Sequence, residues 1–279
     1  MTSDSKFSVL MSIYKNETPG NFDESLASLF GQKLKPDEVV VVIDGPVENS
    51  IFDVINKWMN SLNLVVCTLE ENVGLGNALN AGLNICKYEL VARMDTDDIS
   101  EPERFFKQIT HMCNNTNVSL LGSNVEEYDK KMEVSLGIKK VPIPYSEVVT
   151  FSKKRNPFNH MSVVFKKSAI VSVGGYQDHK FMEDYNLWLR VIAAGYCVEN
   201  LPDTLLKVRF DQESIYRRSG LSYILSEIKL FKLKYKLKSQ PITPLLITFF
   251  IRCIPRILPS FLLSKIYKFN RRNTLKGMG

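Results

Sequence analysis

Leu90-Val91-Ala92-Arg93-Met94-Asp95-Thr96-Asp97-Asp98-Ile99-Ser100-Glu101-Pro102 reads as an apolar run that ends in three closely spaced carboxylates and then meets a proline. A buried strand ending in Asp-x-Asp projects the side chains of Asp95 and Asp97 from one strand end. Hard divalent cations such as Mg²⁺ or Mn²⁺ take oxygen ligands of this kind and keep water and substrate phosphates in the rest of the shell. The stretch therefore marks a place where a metal holds a diphosphate. The plainer alternative is an acidic turn capping the helix that starts near Pro102. For a lone Asp-x-Asp the plainer alternative has the advantage, so the rest of the chain decides.

Working outward, Phe7 to Ile13 reads as a short buried strand and Leu64 to Leu69 as another. Glu38 to Ile43 is a run of valines that suits a parallel strand covered on both faces. Phe22 to Phe30 places Phe22, Leu26, Leu29 and Phe30 on one helical face, and Ser50 to Met59 turns Ile51, Val54, Ile55 and Trp58 inward. Gly76 to Cys86 is helical too. Strands alternating with helices of about ten residues predict an α/β domain with a mostly parallel sheet. Ligands of such sheets sit at the carboxyl ends of the strands, where Asp44, Asp95 and Asp97 all fall.

Asp44 precedes Gly45-Pro46, where a carboxylate either accepts hydrogen bonds from a base or ribose or opens an Asx turn. In Asn72-Val73-Gly74-Leu75-Gly76-Asn77 glycines meet the start of a helix. Backbone amides there approach a phosphate closely, or small residues simply cap the helix and let it pack. The stretch is neither a dinucleotide fingerprint nor a P-loop.

The second half is less regular. Val118 to Val125 and Val134 to Val141 look like strands of a hairpin, Met161 to Phe165 is strand-like, and Ser168 to Val173 fits a short helix before Gly174-Gly175-Tyr176. Glu183 to Ala194 is a strong helix with Leu187, Leu189, Val191 and Ile192 available for packing. Its opening acids, Glu183 and Asp184, suit the helix dipole. Functionally, one of them is a general base that draws a proton from a hydroxyl as that oxygen attacks. His160 contacts phosphate or acceptor, or is a satisfied structural histidine; His111 and His179 read as structural.

The net charge is +6, unevenly placed. From Leu221 onward there are twelve Lys or Arg and one acid, Glu227, leaving 24 basic and 29 acidic residues before it. A basic tail faces nucleic acid or an anionic membrane. Its aromatics and prolines, and the acidic body, favour lipid. Ser239 to Ile251, the longest stretch without charge, is too short for a bilayer span of about 20 residues. Lys229, Lys232, Lys236, Arg252 and Arg256 beside Phe249, Phe250, Ile254, Leu258 and Phe261 fit an interfacial segment. The alternative is a helical hairpin packed on the body. Five scattered cysteines without zinc-finger spacing indicate a reduced compartment, and the polar start before Phe7 shows no apolar signal core.

In this order the segments Phe7-Ser8-Val9-Leu10-Met11-Ser12, Val42-Ile43-Asp44-Gly45, Asn72 to Gly76, Ala92 to Asp98, Asn156 to His160 and Gly174-Gly175-Tyr176 with Met182-Glu183-Asp184-Tyr185 resemble family 2 glycosyltransferases of the GT-A fold over about residues 6 to 215. The chain looks most like bacterial O-antigen and exopolysaccharide enzymes of the amylovoran-biosynthesis type. The resemblance implies an α/β GT-A domain over 1–220, with a nucleotide-sugar half to about 100 and an acceptor half beyond it, and a membrane-associating tail over 221–279. It implies that Ser12, Tyr14 and Glu17 border the nucleotide, that Asp44 reads the base, and that Gly74, Asn77, Arg93 and His160 lie near the diphosphate. Asp95 and Asp97 would hold Mn²⁺ or Mg²⁺, Asp97 as the direct ligand, and Asp184 would be the base assisted by Glu183. Arg217 and Arg218 would cover the diphosphate.

The implied reaction is inverting transfer of one sugar from a UDP-sugar (glucose, galactose or an N-acetylhexosamine) to an undecaprenyl-diphosphate-linked saccharide. It would occur at the inner face of the bacterial plasma membrane and involve no nucleic acid. A processive synthase would carry a Gln-x-x-Arg-Trp motif and several spanning helices, and the sequence has neither. A nucleotidyltransferase would carry a glycine-rich Gly-x-Gly-x-Arg start, which is missing near Phe7. A nucleic-acid-binding or membrane-binding module, or a non-catalytic scaffold, is the alternative from a different class.

Overall fold

The computed structural model describes residues 5–210 and 220–257, the side chains of 255–257 excepted. Its strands are β1 (Phe7–Ile13), β2 (Glu38–Asp44), β3 (Leu64–Leu69), β4 (Leu90–Arg93), β5 (Ile99–Ser100), β6 (Val118–Tyr128), β7 (Ser135–Lys139), β8 (Val164–Lys166) and β9 (Cys197–Arg209). They form one sheet in the order β3-β2-β1-β4-β8-β6-β9-β5, with β7 paired to β6. The β3-β2-β1-β4 portion is parallel, so the carboxyl ends of these strands share one edge of the sheet. β8 then runs antiparallel to both β4 and β6, giving the mixed sheet.

The valine run of β2 is buried along its whole length because helices cover both faces. Phe7, Val9 and Met11 of β1 face Phe22, Leu26 and Leu29 of α1 (Pro19–Phe30), Ile51 and Ile55 of α2 (Asn49–Trp58) and Phe105 and Ile109 of α4 (Arg104–Asn114). Leu10 of β1 with Val40 and Val42 of β2 faces Ala78, Leu79 and Leu83 of α3 (Leu75–Ile85) and Leu187, Trp188 and Val191 of α7 (Glu183–Ala193) on the other side. The two faces follow from the period of two in a strand. Phe30, expected inward, is 41% exposed and lies against Trp58. The expected hairpin is present as β6 and β7, and the expected short helix as α6 (Lys167–Ser172).

α5 (Tyr145–Ser152) and β9 do not emerge from the sequence reading. Asn200-Leu201-Pro202-Asp203 looks like a turn, yet β9 passes through it. Its pairing with β6 jumps from Ser123↔Leu201 to Asn124↔Thr204, so Pro202 and Asp203 sit in a bulge within one strand.

α8 (Leu221–Lys236) and α9 (Ile242–Ile257) form a helical hairpin packed on α7, with Tyr223 and Leu230 buried against Met182, Tyr185 and Leu189. The hairpin is the alternative kept beside the interfacial segment, and of the cations named for that segment Arg252 turns inward. Arg252 pairs with the buried Glu227 at 2.7 Å, and Lys234 is only 2% exposed. Glu227, the single acid of the region, is the buried partner of this pair, and a buried carboxylate needs a counter-charge. Arg217, Arg218, Leu258 and Phe261 lie outside the described residues, as does the side chain of Arg256.

Candidate active site

The carboxylates after β4 do converge. Asp95, Asp97 and Asp98 each offer an oxygen, and these oxygens lie within 4.8 Å of one another. Asp98, which the sequence reading left out of the ligand set, is the most enclosed of the three. One of its oxygens accepts from the Arg209 backbone N–H (3.2 Å), and the other, Oδ2, has no hydrogen-bond partner among the described residues. Burial, then repulsion from Asp95 and Glu17, pushes the Asp97 carboxyl up to about 7. Burial and the charges of Asp95 and Asp97 push Asp98 up as well. Three crowded carboxylates with an unsatisfied buried oxygen fit a hard divalent cation, which takes oxygen ligands and removes the repulsion.

The loop that carries them is pinned through its backbone. Arg104 Nη2 donates to the Arg93 carbonyl (2.6 Å), Ser25 Oγ to that of Asp95 (3.2 Å), and Arg209 Nη1 to that of Asp97. Arg104 is wholly buried, and burial pushes its guanidinium down to about 9, so it remains charged at neutral pH. Arg93 is buried beneath the loop and ion-paired with Asp95, while its Nε has no hydrogen-bond partner among the described residues. Fixed charges and dipoles arranged before the reaction are what an electrostatic site needs.

The neighbouring strand ends complete this edge. Thr96 Oγ1 donates to Glu17 Oε2 (2.5 Å), tying the β1–α1 connection to the carboxylate loop. Ser12 is half-buried at the end of β1, and Tyr14 is 40% exposed just beyond it. Asp44 is buried and accepts from the Val73 N–H (2.7 Å) and Asn72 Nδ2 (3.1 Å). Part of its hydrogen-bonding capacity thus holds the glycine-rich loop, a distant partner that neither the base-binding reading nor the Asx-turn alternative names. The loops touch because Gly45 has φ +83° and a Cβ there would lie 2.7 Å from Asn72 N. Gly74 is the N-cap of α3, and Asn77 is exposed with Nδ2 on the Val73 carbonyl (3.0 Å).

Asp184 lies in the first turn of α7. Its Oδ1 accepts from the Tyr185 N–H (2.7 Å) and its Oδ2 from Asn156 Nδ2 (2.6 Å). Burial raises its pKa, with the hydrogen bonds and the charges of Lys139 and Arg93 opposing. A carboxylate shifted in this direction is a better base near neutral pH than a free one. Glu183 is raised too, mainly by burial, and packs over Gly76, whose Cβ would lie 3.3 Å from Glu183 Cγ. Glu183 therefore sits over the glycine-rich loop at the start of α3, while Asp184, one residue on, faces Asn156.

Residues 8–178 match glycosyl transferase family 2. The chain belongs to this family.

Among its relatives, the family 2 chain is 46% identical to the amylovoran biosynthesis glycosyltransferase AmsE of Erwinia amylovora, over 95% of this chain and 99% of that protein. It is 41% identical to the Escherichia coli UDP-Gal:alpha-D-GlcNAc-diphosphoundecaprenol beta-1,3-galactosyltransferase, over 94% and 95%. The same fold occurs in Staphylococcus aureus TarS 1–349 in complex with UDP-GlcNAc, with a TM-score of 0.67, 19% identity, and coverage of 88% of this chain and 72% of that one. The protein is thus a glycosyltransferase with a GT-A fold, as the sequence resemblance implied.

In this glycosyltransferase His160 hydrogen-bonds Tyr176 OH through Nε2 (2.8 Å) and packs against Tyr176 and Trp188. Burial and nearby Arg93 hold its pKa well below the ordinary range, so the ring is neutral at pH 7 and does not meet a phosphate as a cation. His179, read as structural, bridges Asn186 Nδ2 (3.0 Å) and the Ser226 carbonyl (2.8 Å). Arg104 and Arg209 escaped the sequence reading for different reasons. Arg104 opens an ordinary amphipathic helix, where an arginine usually faces solvent. Arg209 ends β9, a strand to which the sequence reading assigns no element.

Proposed function

We propose that the protein transfers one sugar, with inversion, from a UDP-sugar to a lipid-diphosphate-linked saccharide in the assembly of an O-antigen or exopolysaccharide repeat unit. The observation that supports this reading is the convergence of Asp95, Asp97 and Asp98 after β4, with Glu183 packed over the glycine-rich loop and Asp184 beside it in the first turn of α7, within reach of the charge of Arg93. Relatives that cover nearly the whole chain support the substrate class. One of them is named for a diphosphoundecaprenol acceptor and UDP-Gal.

Asp97 and Asp95, with Asp98, are the residues that would hold Mn²⁺ or Mg²⁺. When bound, the cation supplies positive charge against the negative charge of a departing nucleoside diphosphate. Arg93 adds a fixed charge beside Asp95. Ser12, Tyr14, Glu17 and Asp44 line the nucleotide's side of the edge, and Gly74 and Asn77 border its phosphates. Asp184 takes the proton of the acceptor hydroxyl as its oxygen bonds to the anomeric carbon and the bond from that carbon to the diphosphate oxygen breaks. Glu183 supports it from the next position. Attack opposite the leaving group turns an α-linked donor into a β-linkage.

The test is a screen of UDP-glucose, UDP-galactose and their N-acetyl forms with Mn²⁺ and an undecaprenyl-diphosphate-linked sugar, measuring UDP release and product. One donor giving a β-linked disaccharide lipid is expected. Salt-sensitive oligonucleotide binding without nucleotide-sugar turnover would reject the reading.

The hairpin fits attachment to an anionic membrane. No described helix is long and apolar enough to cross one. α9 instead leaves a stripe uncovered: Leu246 (40% exposed), Ile247 (55%), Phe250 (56%), Ile251 (64%) and Ile254 (57%). Positions spaced three and four apart lie on one helix face, and a contiguous apolar face of this kind marks an interaction surface. Exposed Lys232, Lys236 and Lys238 on and just beyond α8 match anionic headgroups. Because Ile247 and Ile251 touch solvent, changing both to Asp spares the fold. The double variant is expected to leave vesicles containing phosphatidylglycerol and stay in the supernatant on flotation. Wild-type partitioning would remove the membrane from this face.

A further inference from the structure

With Asp184 as the base, the reading on which the inference rests, its carboxylate must be held in one direction. Its two oxygens are held by the Tyr185 N–H and by Asn156 Nδ2, and both partners lead to the C-terminal hairpin. Tyr185 OH donates to the Ser152 carbonyl at the end of α5 (2.6 Å) and accepts from Lys234 Nζ of α8 (2.8 Å). Asn156 belongs to the segment that leaves α5, and the carbonyls just before it are taken by donors of the hairpin. Lys234 Nζ donates to the Lys153 carbonyl (2.9 Å), and Arg252 Nη1 of α9 donates to that of Lys154 (3.2 Å). The last carbonyls of a helix lack intrahelical donors and carry partial negative charge, so they are matched sites for cations.

α8 also grips the approach to α7. Ser226 accepts from His179 through its carbonyl and donates to the Lys180 carbonyl through Oγ (both 2.8 Å). Phe181, with φ +70°, stacks on Tyr223 at 5.4 Å between ring centroids. That left-handed conformation is disfavoured for any residue with a bulky side chain and holds only where surroundings enforce it.

We infer that the α8–α9 hairpin orients Asp184, with Lys234 and Arg252 acting as positioning residues that clamp the end of α5 against the start of α7. An apolar side chain would fill this interface without the cost of burying charge. Lys234 and Arg252 instead give directional hydrogen bonds to three successive residues of the α5 terminus, counting the one relayed by Tyr185 to Ser152. They fix the distance between the two segments that hold the carboxylate. The aim of Asp184 is thereby complete only when the hairpin is docked.

Two full-length variants test this, Tyr185→Phe, which removes one hydroxyl, and Lys234→Met. Each is measured for kcat, donor KM, UDP affinity by calorimetry and thermal melting. A misdirected base is expected to lower kcat about tenfold or more, since small misplacements of a reacting group cost up to about a hundredfold. Donor KM and UDP affinity are expected to stay within about twofold, because uniform binding is untouched. If Lys234→Met does not fold, Tyr185→Phe decides alone. A folded Tyr185→Phe with wild-type kcat overturns the inference, as does a loss carried by donor KM. Asp184→Asn in the same assay separates the two ideas. Full turnover there defeats the base assignment, whereas a dead Asp184→Asn beside a fully active Tyr185→Phe defeats only the clamp.

Discussion

Asp184→Asn is expected to bind UDP and donor as the wild type does and to lose about 10²–10⁴-fold in kcat, the range a positioned general base contributes. The amide has the shape of the carboxylate but takes up no proton at neutral pH. It is not perfectly neutral to the fold. Asp184 accepts two hydrogen bonds, from the Tyr185 N–H and from Asn156 Nδ2, and an amide has one acceptor oxygen and one donor nitrogen. The nitrogen faces a donor unless the Asn156 amide flips, which takes Asn156 Oδ1 away from the Phe158 N–H (3.2 Å). A destabilisation of about 1 kcal/mol, the net worth of one hydrogen bond, is expected from melting curves. Calorimetry with UDP beside a transfer assay makes the distinction. Turnover near wild type would take the role of base away from Asp184.

Asp97→Asn is the second large effect, and it has an unusual signature. Burial raises the Asp97 carboxyl to about 7, with Asp95 and Glu17 adding to the rise, well above the value of an unfolded chain. The folded state therefore holds a proton that the unfolded state has released, between about pH 4 and pH 7. By linkage, stability from this group is lost as pH rises through that window, and at pH 8 the ionised side chain weakens the fold. Asn removes that repulsion. The variant is expected to melt no lower than wild type at pH 8, while Mn²⁺ affinity falls at least about tenfold and transfer falls about 10²–10³-fold, as when one element of a preorganised electrostatic site is removed. A site held ready for a ligand at a cost in stability behaves in this way. A lower melting temperature with unchanged Mn²⁺ affinity would make Asp97 structural.

Much of this was legible in the chain because the relevant signals are local. The valine run of β2, the strand ending at Arg93 and the acids opening α7 each declare themselves by composition or spacing, and parallel pairing then brings the strand ends to one edge. What stayed hidden depends on contacts far apart in sequence. Asp98 stands in plain view beside Asp95 and Asp97, but its enclosure depends on β5 pairing with β9 and on Arg209, which bonds both Asp98 and the loop. Arg104 gives no periodic sign that it points inward to the Arg93 carbonyl. β9, interrupted by the bulge at Pro202 and Asp203, carries no uninterrupted strand pattern in the sequence.

The hairpin is the instructive case. Its excess of positive charge reads as a surface property, yet Lys234 is 2% exposed and Arg252 turns to the buried Glu227, and the apolar residues between them supply the exposed face. Amphipathic patterning shows which positions differ, not which side meets solvent. Glu227 was the available clue, since a lone acid among basic residues marks the one place where a cation must be neutralised.

The central claim concerns where the negative charge of the leaving group is met. Crystals grown with Mn²⁺ and UDP, measured at a wavelength that gives manganese an anomalous signal, address it directly. The account predicts one strong peak bonded to a carboxylate oxygen of Asp97 or Asp95, with the UDP diphosphate completing the ion's shell and the uridine along the edge marked by Ser12 and Asp44. A manganese ion and diphosphate bound together elsewhere, with residues 95–98 left as they are, would contradict it.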